Sequence, residues 1–120
     1  MGTISKEILS GSPQGKPIQL TATGSIGTAI HTTLTSSTII DEVWLYATNN
    51  DVIQRNLTVE YGATGSASEI SVGIPAKSGL SIITPGLILV GDGSTGSIIT
   101  AYTSATSSIS LVGYINRITP

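Results

Sequence analysis

Any chemistry in this chain would fall to very few side chains. Its 120 residues hold one imidazole, His31, no Cys, seven carboxylates and five cations. Asp41 and Glu42 are the only adjacent carboxylates. Neighbouring positions on a strand point to opposite faces, so these two cannot act as a close acid/base pair. They are expected at a solvated edge or in a set of interface hydrogen bonds. His31, in a β-type run among threonines, is expected to make hydrogen bonds at the surface or an interface. One histidine cannot supply a mononuclear His-based metal site within a single chain; three copies meeting on a trimer axis would be the route to an ion site. Serine and threonine hydroxyls are plentiful, but activating one needs a base, and a single imidazole is present. The expectation is no catalytic residue, no cofactor and no metal.

The remaining motifs read as structure. The stretch Gly91–Gly96 looks like a phosphate loop only in its glycines, because it lacks the Gly-Lys-Ser/Thr ending that would supply the lysine and the magnesium-binding hydroxyl. Asn56-Leu57-Thr58 matches a glycosylation acceptor but lies in a strand-like run. Lys6, Lys16, Arg55, Lys77 and Arg117 are scattered, and the formal charge is -2, which argues against tracking a phosphate backbone. No nucleic-acid partner is expected. Nor is a membrane partner, since no apolar run approaches the ~20 residues of a spanning helix. The N-terminal residues lack the apolar stretch of a signal peptide, and the expectation is a protein made in a cytoplasm.

The elements that position these groups are strands. The chain has no Phe, one Trp and four Tyr, so Ile, Leu and Val must do nearly all the packing. Only 10% of residues are charged, against about 25% in ordinary soluble domains. A surface of hydroxyls rather than charges costs less to desolvate, which suits a protein covered by neighbours. From Lys16 onward, short β-type runs alternate with turn signals. The strongest is Ile39 to Thr48, with Val43, Leu45 and Ala47 on one face and Trp44 and Tyr46 on the other. Apolar side chains on both faces predict a strand covered on both sides or facing a partner, so Trp44 and Tyr46 are candidates for core or for a subunit interface, core being favoured. Asn49-Asn50-Asp51 should turn the chain into Arg55 to Tyr61. Glu69 to Ile74, two runs split by Pro85-Gly86, Ser97 to Thr103 and Ile109 to Arg117 follow; Pro removes a ladder donor, so the break at Pro85 is a bend, a bulge or an edge. Eight or nine strands at this spacing predict an all-β antiparallel sandwich, jelly-roll-like, over residues 16–120.

Residues 1–15 read differently. The polar run Ser10 to Gly15 cannot pack a core, and Ile4, Ile8 and Leu9 offer a little apolar surface at helix-like spacing. The prediction is an N-terminal arm, extended or partly helical, whose Ile4, Ile8 and Leu9 reach a neighbouring protein.

The pieces Ile40–Asn49, Asn56–Gly62, Ile74–Gly79, Pro85–Leu87, Ala101-Tyr102 and Gly113–Ile118 together span about two-thirds of the chain. In this order they resemble the small virion structural proteins of tailed bacteriophages, of the capsid decoration (cement) type. The resemblance implies a homotrimer on the outer surface of a phage head, made in the host cytoplasm. It would bridge and stabilise the major capsid protein subunits. The alternative of the same class is a trimeric fibre or spike module that binds a host receptor or glycan.

Overall fold

A computed structural model describes residues 2–120. Among these described residues nine strands form: β1 (Thr3–Ile8), β2 (Ile18–Gln19), β3 (Thr28–Thr32), β4 (Ile40–Asn49), β5 (Arg55–Gly62), β6 (Glu69–Ile74), β7 (Ser81–Leu89), β8 (Ile98–Thr103) and β9 (Ile109–Thr119). One sheet runs β1-β9-β4-β7, with β2 also on β9; the other runs β3-β8-β5-β6. All pairs are antiparallel. The nesting is regular: β2 pairs β9, β3 pairs β8, β4 pairs β7 and β5 pairs β6. The chain is thus one long hairpin rolled on itself, with β4–β9 and β5–β8 closing the roll. That is jelly-roll connectivity, and the all-β sandwich expected from the sequence is the fold.

Period-2 alternation builds the core. Val43, Leu45 and Ala47 of β4 and Leu111 and Ile115 of β9 face Leu57 and Val59 of β5 and Ile99 and Ala101 of β8, and all are fully buried. The β4–β9 ladder runs unbroken from Ile40↔Ile118 to Asn49↔Ile109. Gly113 makes this approach possible: a Cβ there would collide with the Trp44 carbonyl oxygen.

One expectation changes. The N-terminal segment is no free arm. Residues Thr3–Ile8 zip against β9 from Thr3↔Thr119 to Ile8↔Tyr114, and Leu9 is fully buried in the core. Extended backbone was one of the two forms expected, and an unpaired β9 edge gives it a partner. At Pro85-Gly86 the break takes two of the three expected forms, a bulge and an edge, within one continuous strand. β7 runs through them at the sheet margin with register shifts against β4, as an edge strand permits.

Candidate functional site

The polar residues that looked most chemical lie inside the sandwich. His31 is 2% exposed and lies inside the sandwich, not at the surface or interface position expected from the sequence. Its Nδ1 accepts the backbone N–H of Ser10 at 3.0 Å, which leaves Nε2 as donor to Asp41 Oδ2 at 2.8 Å. Arg117 grips the same carboxylate with a fork, Nε to Oδ1 at 2.9 Å and Nη2 to Oδ2 at 3.1 Å. Burial works against the charge on Asp41, but the bonds from Arg117 and His31 outweigh it and hold the carboxyl below its ordinary range. A His–Asp pair is also half of a nucleophile-activating arrangement. Here both ring nitrogens are occupied and the ring is buried, and the pair ties β3, β4 and β9 together. Nearby, burial and then the charge of Asp41 push the Tyr61 phenol up to about 12.

The second buried carboxylate is Glu60 on β5. It accepts the Gly27 N–H at 2.9 Å and the hydroxyls of Ser25 at 2.5 Å and Thr100 at 2.7 Å. Burial opposes its charge and these three donors more than offset it, so its pKa is lowered. Glu60 pins the loop before β3 to the second sheet. Beside that loop lies a cleft of about 250 Å³ lined by Ile26, Ala63, Thr64, Ile98 and Thr100, none of them titratable. Among the described residues, no three His, Cys, Asp or Glu side chains gather as a metal site.

Asp41 and Glu42 do point to opposite faces. Asp41 is buried, while Glu42 lies on the outer side of the first sheet, where its Oε1 accepts Trp44 Nε1 at 2.8 Å and Asn116 Nδ2 at 3.0 Å. The registers define that outer face row by row: Ile4–Ile118–Ile40, then Lys6–Asn116–Glu42–Ile88, then Ile8–Tyr114–Trp44, then Val112–Tyr46–Ile82. Trp44 is half-buried here and stacks on Tyr114, with centroids 6.2 Å apart and planes inclined by 12°. The Lys6 ammonium sits over the far part of the same cluster, 4.7 Å from the Tyr114 centroid. Gly86, at φ +80°, lets the indole lie across β7, since a Cβ would meet it at 2.9 Å.

The favoured core reading of Trp44 and Tyr46 is therefore corrected. Inward positions on β4 belong to Val43, Leu45 and Ala47, and the alternation turns both aromatics outward. Ile4 and Ile8 join them on this face, with Leu9 turned inward instead. Tyr114, Val112, Ile82 and Ile88 complete the face and were not singled out from the sequence. The signal that finds them is the pairing register, which brings distant strands side by side. No family model, curated protein or solved structure matches this chain.

Proposed function

We propose that this chain is a non-enzymatic structural protein whose task is to hold protein chains together. In the setting its sequence resembles, it binds the outer surface of a phage capsid as a trimer and bridges major capsid protein subunits. The observation that carries this reading is the outer face of the first sheet. Four strands at ~4.8 Å spacing and seven residues at ~3.4 Å rise make a footprint of roughly 450 Å². Apolar and aromatic side chains fill most of it, with the row Lys6–Asn116–Glu42 crossing it, and an apolar patch of some hundreds of Å² is often functional. Aromatic side chains at its centre suit an interface anchor, and the hydroxyl-rich remainder of the chain costs less to cover than charged side chains would.

The test is sedimentation of the purified chain with expanded capsids of the parent phage that lack it, with host cells as the comparison. Saturable co-sedimentation with capsids is expected. Binding to cells instead of capsids would move the chain to a fibre or spike, and binding to neither would remove the virion reading.

A further inference from the structure

Lys6, Asn116 and Glu42 form one row across β1, β9 and β4, on the outer side of the first sheet. Asn116 is the direct cross-strand partner of both the others. Opposed residues hold their Cβ atoms about 4.5–5.5 Å apart, so a lysine side chain easily spans to its partner's carboxamide. Glu42 fixes how that carboxamide is turned: Asn116 Nδ2 donates to Glu42 Oε1 at 3.0 Å, and Trp44 Nε1 holds the same oxygen at 2.8 Å. These two bonds hold the Glu42 carboxyl below its ordinary range, ionised and able to accept a proton. On the other side, the Lys6 ammonium lies 4.7 Å from the centroid of Tyr114, a β9 residue, so its head leans across the strand that carries Asn116. The carboxamide carbon thus has an amine on one flank and, at its amide nitrogen, a carboxylate on the other. Tyr114 and Tyr46 share this face, β7 brings no titratable side chain to it, and Glu7, Asp41 and Arg117 have the opposite parity.

We propose that Lys6 and Asn116 join in an isopeptide bond within the chain, with Glu42 carrying the proton. Lys6 first gives its extra proton to solvent, and the free amine attacks Asn116 Cγ. The tetrahedral adduct passes a proton from Nζ to the Glu42 carboxylate, which hands it to Nδ2. The Cγ–Nδ2 bond then breaks, and its electron pair leaves with ammonia, which takes up a proton from solvent. One C–N bond forms and one breaks, nothing is oxidised, and Glu42 ends as it began. The two ladders hold nucleophile, acyl carbon and proton carrier in order, which replaces a bimolecular encounter by an intramolecular one. The bond also answers a structural need. Strand β1 lies at the sheet margin with β9 as its single neighbour, and a chain without cysteine has no disulfide to fasten it. Joining residue 6 to residue 116 closes a loop of nearly the whole chain, and long loops are where a cross-link restricts the unfolded state most.

The test is intact-mass and peptide mass spectrometry of the purified full chain, held for several days at about pH 7 and at about pH 9.5, nearer the range in which lysine loses its proton. The chain should become lighter by one ammonia, faster at the higher pH, and trypsin should then release a branched peptide that joins the Lys6 segment to the Asn116 segment. A succinimide at Asn116 loses the same ammonia but yields no branched peptide. Lys6→Arg should keep the full mass, and Glu42→Gln should slow the loss about a hundredfold or more. Lys6 is exposed and Glu42 half-buried, so both variants should keep the β circular dichroism. Should Glu42→Gln lose its fold, Lys6→Arg decides alone. A wild-type chain without the branched peptide at either pH, or the same ammonia loss in Lys6→Arg, overturns the proposal; an unchanged rate in Glu42→Gln removes Glu42 from it. No capsid enters the measurement, so its outcome stands apart from the functional reading.

Discussion

His31 Nε2 lies 2.8 Å from Asp41 Oδ2, with both side chains 1% exposed, and the guanidinium of Arg117 closes on the same carboxylate. Asp41 is thus the shared member of a three-strand tie. Breaking a buried charge pair by removing one member leaves the other uncompensated, at about 3–5 kcal/mol. Asp41→Ala strands both a histidine and an arginine, while His31→Ala leaves Asp41 still forked by Arg117. The expected order of destabilisation in urea titrations is Asp41→Ala well above His31→Ala, with Arg117→Ala between them.

The same carboxylate sets an acid limit, shared with Glu60. Both are held below their ordinary values of 3.8 and 4.5, despite burial, by donors that exist only in the folded chain. A carboxyl with a lowered folded pKa stabilises the fold above its unfolded value, and this contribution fades as pH falls through the folded one. The urea midpoint is therefore expected to be level near neutrality, to begin falling around pH 4 to 4.5, and to keep falling below. Asp41→Asn/Glu60→Gln, though less stable at neutral pH, should show a flatter acid limb. A wild-type midpoint that rises on acidification through this window would contradict the arrangement of donors around the two groups.

On the outer face, Trp44 stacks on Tyr114 and crosses Gly86. Because the indole is half-buried and outside the core, Trp44→Ala is expected to leave a folded β-sandwich and to cost about 1–2 kcal/mol, less than the 3–5 of a core tryptophan. Gly86→Ala should cost a similar amount through its positive φ and the displaced ring. Tryptophan fluorescence reads the second change directly, as a red shift when the indole lifts into water. Loss of all β dichroism in Trp44→Ala would return the residue to the core.

Much of the fold was legible because strands declare themselves locally. Val43, Leu45 and Ala47 alternate with Trp44 and Tyr46, and Leu57 and Val59 alternate with Asn56 and Thr58, so the β4 and β5 hairpin could be read from pattern alone. What pattern does not carry is pairing between distant strands. Nothing near Ser10 or His31 announces that Asp41 and Arg117 will meet them, so His31 read as a surface group. Trp44 read as core because its size suggests burial, whereas its parity on the strand decides the matter. The first strand was hidden for a related reason: Thr3–Ile8 has too little apolar pattern to look like a strand until β9 offers it an edge.

That hidden strand yields the sharpest contrast between neighbouring residues. Leu9 is fully buried, while Ile8 is 54% exposed on the aromatic face. The chain passes from the sheet into the core between them, where Gly11 N–H bonds to the Ile30 carbonyl at 2.9 Å and Ser10 Oγ accepts the Thr32 N–H at 2.7 Å. A Cβ on Gly11 would lie 2.6 Å from the Ala29 carbonyl oxygen, so the crossing has no room for a side chain there. Leu9→Ala should leave a cavity and cost about 2–5 kcal/mol, while Ile8→Ala should cost under ~1 kcal/mol. Urea titration of the two variants side by side measures the difference. Equal, small effects would mean that residues 3–9 detach from the sandwich in solution; that outcome would restore the arm that the sequence suggested.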